Sequence, residues 1–471
     1  MRSQVQTTLL QMNDQKNVLA RQAAEAGLSH AIRRMSTNSW GGVGTTLTGN
    51  IDNQSSYSVS FAAGDSSLTP GDPNYGQYPF RITVTSTGTA WANGDVTVPT
   101  SYTMSAVLQL VRRALDTSNT PGSWGTMNGY TLYQWNATAL VQNVSLDFPV
   151  HVDGDVCFFG KLIYPATYPG SPAKSKDYCD GLKSLWTSTG ADYRPFSGIV
   201  TLGILRTPVA TKNLLKVNLG LTVNEVTPPT VLPIAYPSVP GSYQLFSGGP
   251  QYTVPDVQLI YGNSPTGQTI GPNMLTNPLG IYRSSGSLTL NNGTTLNGAL
   301  FMDGTLSDVS LQGTGVQVTG LTLPALSGSS QAYQMPPLIV RNNVVVKSGS
   351  NSTVRGLILA WNRFLVETGT KTTALNFQGR VFAEDMDVQA RTEWNISSTS
   401  WNAENAAWLA SGPLVTWPSW METRRGFQVQ PLMNLAPPTG VLYHWPNWSQ
   451  PIYTSAPGDE GLQWDIVGWK N

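Results

Sequence analysis

The sequence has few cysteines, few histidines and few charged side chains. Its 471 residues include two cysteines and three histidines, and 11% of the residues are charged. The cysteines form no C-x-x-C pair and have no histidine beside them, so they predict no zinc site. If the protein is exported, we expect a disulfide between Cys157 and Cys179; two unpaired buried thiols are the alternative. The balance of 27 basic and 27 acidic residues argues against a general binder of polyanions.

Motifs of catalysis and of phosphate binding are also missing. The chain contains no G-x-S-x-G elbow, no P-loop and no H-E-x-x-H motif. His151, Asp153 and Asp155 resemble the carboxylate clusters on β-helix polysaccharide enzymes, but a turn formed by Asp and Gly explains the HVDGDV segment equally well. The sequence therefore predicts no catalytic residue and no cofactor, and it favours a binding or structural protein.

A second acidic cluster offers oxygen ligands to a cation. It consists of Glu384, Asp385 and Asp387. The spacing of a calcium-binding EF-hand loop is absent, and a solvated acidic turn is the simpler interpretation. We predict no metal site there.

Glycine, proline and tryptophan are abundant, with 46, 32 and 15 residues, as in turn-rich β-proteins. The start of the chain differs. Gln15 to Met35 predicts an amphipathic helix, because small apolar residues recur at helical spacing on one face: Ala24, Leu28, Ala31, Ile32 and Met35. The segment from Val5 to Asp14 has no Gly or Pro and can extend this helix upstream, to a length of about 45 Å.

Residues Arg21 to Leu28, RQAAEAGL, followed by His30 and Ala31, resemble the AAEAGL segment of PilX-type minor pilins and related type IV pseudopilins. The resemblance implies that the helix lies in the groove of an antiparallel sheet and that its small apolar face packs in a filament. It also implies other type IV pilins as partners. No prepilin cleavage site and no apolar run of about 20 residues precede Val5. We therefore expect a truncated, soluble version of such a pilin, whose contact with the inner membrane requires an N-terminal helix absent from this chain. A natural protein without an anchor is the alternative.

Three segments after the helix alternate with the period of half-buried strands. They are Tyr57 to Phe61, Phe80 to Gly88 and Tyr102 to Arg113. In the third, Met104, Ala106, Leu108 and Leu110 form an apolar face that is expected to cover the helix. This order of elements again resembles the pilin-like module, over roughly the first 115 residues, and we assign residues 1–129 to it.

Residues 130–400 have a different texture, with short apolar segments separated by Gly, Asn and Asp. The segment from Gly286 to Thr322 is almost repetitive, which is typical of the coils of a β-solenoid. A β-sandwich remains the alternative. The proline-rich stretch from Thr227 to Pro240 is expected to run over the surface of this region.

Residues 401–471 are rich in tryptophan, which indicates a packed junction. We expect a short helix near Ala403 to Ala410 and a last strand near Leu462 to Trp469 that returns to the pilin-like sheet. The predicted fold is thus an α+β pilin-like module with a large inserted β-solenoid, mainly β overall.

One group of basic residues stands out in this weakly charged chain. Lys347, Arg355, Arg363 and Lys371 recur every eight residues, between Arg341 and Arg380. An even spacing keeps side chains on one face of a regular strand, and stacking predicts a stripe that contacts the phosphates of DNA, with Trp361 available to stack on a base. Ordinary solubility of a β-surface is the alternative.

The combination of a pilin-like module and a large solenoid resembles the ComZ-type competence pilins. This resemblance implies a minor pilin at or near the tip of a type IV pilus, which captures extracellular DNA for natural transformation. Its location would be the cell-surface pilus, with a periplasmic or inner-membrane stage before assembly. A structural or adhesive minor pilin without DNA binding and a β-helix carbohydrate-active enzyme are the alternatives.

Overall fold

A computed structural model describes three long parts of the chain. They are residues 2–135 apart from 93–94 and 123, residues 234–388 apart from 240, 348–349 and 368–374, and residues 438–470 apart from 446–447. Between residues 144 and 225, and at 433–435, it describes short strands only. In these parts the protein is mainly β, with one long helix at the N-terminus that lies on an antiparallel sheet.

Helix α1 spans Arg2–Ser36, so the predicted helix is confirmed and continues upstream of Val5. Its 35 residues correspond to about 52 Å at 1.5 Å per residue. The helix ends at Ser36, and Asn38, with a left-handed φ of 52°, turns the chain away just after it. None of the described helices has the length and apolarity that a membrane span requires.

The antiparallel sheet has five strands in the order β1-β2-β3-β4-β31. Their bounds are β1 Thr46–Asn50, β2 Ser55–Ala63, β3 Arg81–Ala92, β4 Asp95–Val111 and β31 Gln463–Lys470. A 3-10 helix, Tyr75–Phe80, precedes β3. The three predicted strands are therefore present, and the predicted last strand pairs antiparallel with β4.

The helix packs closely on this sheet because both surfaces are small at the contact. Ala20, Ala23 and Ala24 are fully buried, and Gly88 of β3 lies directly beneath them. A Cβ atom on Gly88 would overlap the backbone of Ala20 and Ala24. The alanine-rich character of the helix face is thus explained by contact with the sheet of the same chain.

The apolar face of the helix follows the predicted spacing. Leu28, Ala31 and Met35 are buried in one core with Ala106, Leu108 and Leu110 of β4, and Ile32 is partly buried against it. Ala24 is fully buried as well. Four of the five side chains predicted to pack in a filament are therefore covered by their own sheet. Any surface that α1 offers to another helix must come from its other side chains.

A second sheet contains twenty described strands, and all the pairings within it are parallel. We call it the parallel stack. Its strands are β6 Leu132–Gln134, β7 Val144–Leu146, β8 Val150–Val152, β9 Val156–Phe158, β10 Leu162–Ile163, β11 Ile199–Thr201, β12 Leu205–Thr207, β13 Val223–Glu225, β16 Thr269–Ile270, β17 Ile281–Ser284, β18 Leu288–Leu290, β19 Thr295–Asn297, β20 Ala299–Met302, β21 Val309–Leu311, β22 Thr314–Thr319, β24 Leu338–Val340, β25 Val344–Val346, β26 Asn351–Val366, β27 Leu375–Val388 and β28 Met433–Leu435. Parallel pairing excludes the sandwich alternative for these strands, because sandwich sheets are antiparallel.

The pairings arrange the stack into three rows. Row 1 contains β16, β19, β22, β28, β8 and β11; row 2 contains β17, β20, β24, β6, β9, β12 and β13; row 3 contains β18, β21, β25, β7 and β10. The long strands β26 and β27 each contribute to all three rows. One circuit of the chain therefore supplies one segment to each row.

The order of circuits in the stack differs from their order in the chain. β27 pairs with β28 in row 1, with β6 in row 2 and with β7 in row 3, so residues near 133 lie next to residues near 382. Among the described strands, the chain thus enters the middle of the stack at β6 and builds one side with β7 to β13. It then builds the other side from β16, at its far end, back to β27.

In row 2, the strands β20 and β24 are buried on both faces. Leu300 and Met302 point into the interior of the stack, where they share one core with side chains of rows 1 and 3 such as Leu296 and Leu290. The alternate residues Ala299 and Phe301 belong instead to the core of α1 and the antiparallel sheet. Period-two alternation therefore joins the two sheets through a continuous apolar layer.

The remaining elements cover the stack or connect the two sheets. They are the helices α2 Trp124–Met127 and α3 Val257–Tyr261 and the strands β5 Ala114–Leu115, β14 Ser242–Gln244, β15 Gln251–Thr253, β23 Ala332–Gln334, β29 Val441–Tyr443 and β30 Tyr453–Thr454. Within the predicted proline-rich stretch, Tyr236 donates hydrogen bonds to the carbonyls of Met302 and Ile339. The described residues 234–239 thus run over row 2, as predicted.

The C-terminal region differs in part from the predicted organisation of the chain. The predicted return to the pilin-like sheet begins later than residue 401, because β28, at 433–435, still belongs to the parallel stack. The predicted helix near Ala403 to Ala410 lies outside the described residues. The domain boundaries at 129 and 400 stay predictions.

Candidate interaction surfaces

The predicted basic residues do not form one stripe. Arg355 lies in row 1, where it is paired with Thr319 and Gln378. Arg341 and Arg363 lie at the corner between rows 2 and 3 in neighbouring circuits, and Lys347 follows row 3. Lys371 falls outside the described residues. The prediction of a single stripe is therefore wrong.

The length of one circuit explains this outcome. Val344 pairs with Phe364 and Ile358 pairs with Val381, so equivalent positions in neighbouring circuits are 20 to 23 residues apart. A step of eight residues carries the chain around a corner into another row. The even-spacing argument holds only inside one strand, and turns break it here.

Among the predicted DNA contacts, Lys347 is paired with a carboxylate and Arg380 is partly buried. Lys347 forms a 2.7 Å ion pair with Glu367. Arg380 is partly buried beside the ring of Tyr443, and this burial lowers the pKa of its guanidinium. Its Nε and Nη1 atoms have no hydrogen-bond partner among the residues that the structure describes. Arg341, Arg355 and Arg363 are exposed.

Trp361 is partly buried and packs against the apolar layer. Its indole N–H donates a 2.6 Å hydrogen bond to the carbonyl of Ile234. Its ring contacts Tyr236 edge-on at 5.0 Å and Trp135 at 5.7 Å between centroids. These contacts give Trp361 a structural role, and its role in DNA stacking stays a prediction.

Of the two acidic clusters, the structure describes the side chains of Glu384 and Asp385. Asp153 and Asp155 lie outside the described residues, and of His151 only the backbone in β8 is described. Burial and the neighbouring Asp385 raise the pKa of Glu384. In the described parts of the chain, no group of three His, Cys, Asp or Glu side chains is placed to hold a metal ion. Cys179 also lies outside these parts, so the disulfide stays a prediction.

The upstream half of α1 is a surface that the sheet leaves uncovered. The side chains of residues 10–15 are exposed, and burial begins at Lys16. The exposed apolar side chains of this half are Leu10 at 64%, Met12 at 37% and Val18 at 55% accessibility. Lys16 anchors the helix at this point by donating a hydrogen bond to the carbonyl of Val98. The described helix therefore projects past the region in which the sheet covers it.

A second surface, at the edge strand β31, was not found from the sequence. Ile466, Val467 and Trp469 are exposed at 44%, 45% and 59%. The sequence analysis predicted the strand itself, as a return to the pilin-like sheet. It did not identify β31 as the last strand of the sheet, because strand order depends on long-range pairing. The structure adds one signal of a surface site: Trp469 is 59% exposed, whereas most other aromatic side chains that the structure describes are packed.

Buried Asp65 ties β31 to the rest of the sheet. Its carboxylate accepts hydrogen bonds from Arg81 at 2.9 Å and from Lys470 of β31 at 2.7 Å. It also accepts from the backbone N–H and the hydroxyl of Ser67. Although burial acts in the opposite direction, these donors hold the pKa of Asp65 far below its usual value. The edge strand is thereby fixed at its C-terminal end.

The chain was compared with protein families, with curated proteins and with solved structures. No family model matches the chain, and no curated protein matches it. Among solved structures, the chain is similar to the competence-associated pilin ComZ from Thermus thermophilus, with 10% identity over 96% of this chain and 97% of that chain, and a TM-score of 0.23.

Proposed function

We propose that this chain is a pilin-like subunit of a type IV pilus. In this proposal, α1 packs among the helices of other pilins, and the parallel stack is carried by the antiparallel sheet. The observation that carries the proposal is the division of α1 into two halves. Its downstream half is buried on the sheet, whereas its upstream half projects with exposed Leu10, Met12 and Val18. The RQAAEAGL segment, which resembles that of PilX-type pilins, lies in the buried half.

The second part of the proposal concerns the parallel stack. We infer that its three rows form a β-solenoid, because the inward side chains of all three rows share one core and each circuit pairs with the next. A solenoid attached to the sheet through row 2 would be displayed at the surface of a pilus. The chain would then be located on the cell surface, after a periplasmic or inner-membrane stage, and it would have no catalytic role.

Incorporation into pili tests this proposal. A chain preceded by a pilin leader and membrane helix would be produced in a piliated bacterium, and sheared pili would be probed for it. We expect the protein in the pilus fraction, and we expect Leu10→Lys with Val18→Lys to lower its amount at least tenfold. Leu306→Lys, an equally non-conservative change at an 87% exposed residue far from α1, is the matched control. Absence of the unaltered chain from pili would reject the proposal.

DNA binding is the finer form of this proposal. The exposed guanidinium groups of Arg341 and Arg363 lie at one corner of the stack, in circuits that neighbour each other, and Arg355 lies on row 1. Contacts of this kind with phosphates are independent of base sequence and weaken with salt. We propose the corner with Arg341 and Arg363 as the surface that contacts extracellular DNA.

Binding of labelled duplex DNA across a salt series tests this surface. Replacement of Arg341 and Arg363 by Ala is expected to reduce the salt slope by about two, since each lost phosphate contact reduces it by about one. Lys347→Ala is the control, because Lys347 is already paired with Glu367. No binding at low salt would remove the DNA part and leave a structural or adhesive pilin.

A further inference from the structure

The free edge of β31 is a surface to which no role has been assigned so far. β31 is the last strand of the antiparallel sheet, and none of the described strands pairs with its outer edge. Exposed apolar side chains stand along it, at Ile466, Val467 and Trp469. The N–H and C=O groups on the outer side of such an edge offer a template for another strand.

A β-bulge gives this edge its pattern. Ile466 pairs with Leu108 and Gly468 pairs with Val107, so Val467 is the extra residue. Leu108 and Ala106, the partners of Ile466 and Trp469, are buried beneath the helix. Ile466 and Trp469 therefore lie on the same face of the sheet, although residues three apart in a regular strand lie on opposite faces.

Two opposite charges lie on the other face of the same strand. Asp465 pairs with Gln109, and Lys470 pairs with Ser105. Asp465 is exposed and has no ion-pair partner among the described residues. Lys470 donates to Asp65 at 2.7 Å and to Ser66 at 3.2 Å. An ammonium group has three N–H donors, so one remains for a further carboxylate.

We propose that β31 pairs antiparallel with β31 of a second copy of this chain. One register satisfies both faces at once. When Asp465 lies opposite Lys470 of the second copy, Ile466 lies opposite Trp469 and Val467 lies opposite Gly468. The two-fold axis repeats each contact, which gives two ion pairs on one face and two apolar pairs on the other. Two sheets of five strands then become one continuous sheet.

The symmetry of this pair separates it from a filament. A two-fold axis normal to the sheet sets the two α1 helices antiparallel, whereas pilin helices in a filament run in one direction. The dimer is therefore a state of the chain outside a filament. It stands whether or not the proposed pilus function holds, and the two are tested by separate measurements.

Sedimentation equilibrium of the purified chain between about 1 and 100 µM tests the dimer. We expect the unaltered chain to form a dimer in this range. The dissociation constant of the dimer should be at least tenfold higher in Trp469→Lys and in Asp465→Lys. Leu306→Lys is the matched control, since it also adds a lysine at an exposed apolar position. Circular dichroism establishes that each variant is folded, and Asp465→Lys changes an exposed side chain that the core does not use.

Zero-length carbodiimide cross-linking tests the register. Within one strand, Asp465 and Lys470 are five residues apart, or about 17 Å at 3.3 Å per residue, too far to be joined directly. A cross-linked peptide that joins Asp465 to Lys470 must therefore come from two copies. A monomer throughout the concentration range would overturn the proposal. So would a dimer unaffected by Trp469→Lys, or one that lacks this cross-link.

Discussion

At Gly88, a missing methyl group sets the distance between α1 and the sheet. The position of its absent Cβ atom is filled by the backbone of Ala20 and Ala24. Gly88→Ala is expected to lower the free energy of unfolding by about 3 kcal/mol, because the helix must move away from three strands to make room. Urea unfolding measures this change.

Gly76→Ala is the matched control for that substitution. No atom lies within 4 Å of the position that its Cβ atom would occupy, and the backbone there does not require glycine. We expect a change of about 0.5 kcal/mol or less. Equal effects of the two substitutions would contradict the close packing at Gly88.

Buried His444 gives the protein a predictable dependence on pH. Burial lowers its pKa to about 4, although the charge of Asp116 acts in the opposite direction. Below its ordinary pKa of 6.5, the unfolded chain binds a proton that the folded chain does not bind. The free energy of unfolding should therefore fall as the pH drops from 6.5 to 4, by about 3 kcal/mol in total, at about 1.4 kcal/mol per pKa unit.

Urea unfolding at several values of pH checks this, with His444→Gln as the comparison. The variant has no group that titrates at this position, so the part of the slope due to His444 should disappear. The contribution of Asp65 belongs to a lower pH, because its pKa is depressed from 3.8 and its stabilisation is lost only as the pH falls below that value. Identical slopes between pH 6.5 and 4 in both proteins would refute the assignment to His444.

At the scale of elements, α1 consists of two halves with different contributions to stability. The exposed residues 10–15 make few contacts that a shorter chain would lose. Deletion of residues 1–12 is expected to change the free energy of unfolding by about 0.5 kcal/mol or less. A deletion that extends to residue 24 removes Ala20, Ala23 and Ala24 from the core and should prevent stable folding. Thermal unfolding followed by circular dichroism distinguishes the two, and a large loss from the shorter deletion would contradict this division.

The elements also differ in how far the sequence predicts them. The helix and the strands β2, β3, β4 and β31 follow from local periodicity, because each is long enough to show its repeat. The basic residues were misplaced because their arrangement depends on circuit length, which the irregular turns hide. A single tryptophan gives no sign in the sequence of what its ring contacts. The contacts of Trp361 with Tyr236 and Ile234, which are distant in sequence, could therefore not be predicted.

At the scale of the whole molecule, one apolar layer joins the two sheets. Val84 of β3 and Phe301 of row 2 belong to the same core. The residues on either side of Phe301 in the sequence, Leu300 and Met302, belong to the interior of the stack. We therefore expect the two sheets to unfold together. Phe301→Ala should cost about 3 to 5 kcal/mol and shift the whole transition.

Tryptophan fluorescence and far-ultraviolet circular dichroism test this cooperativity. Both signals should change in a single transition, in the unaltered protein and in Phe301→Ala, Val84→Ala and Leu311→Ala. Leu311 lies in the stack interior, so it serves as the probe farthest from α1 among the three. Two transitions, with Val84→Ala shifting only one of them, would show that the sheets are independent units.

Because the chain enters the parallel stack in its middle, the two ends of the stack can differ in length between related proteins. Among the described strands, β13 lies at one end of the stack and β16 to β18 lie at the other, where Ile281 of β17 belongs to the core of α1 and the antiparallel sheet. A whole circuit can be added beyond either end without moving α1 or the antiparallel sheet. Each such step alters the reach of the molecule by about 4.8 Å, the distance between neighbouring strands. The length of the stack therefore changes in whole-circuit steps.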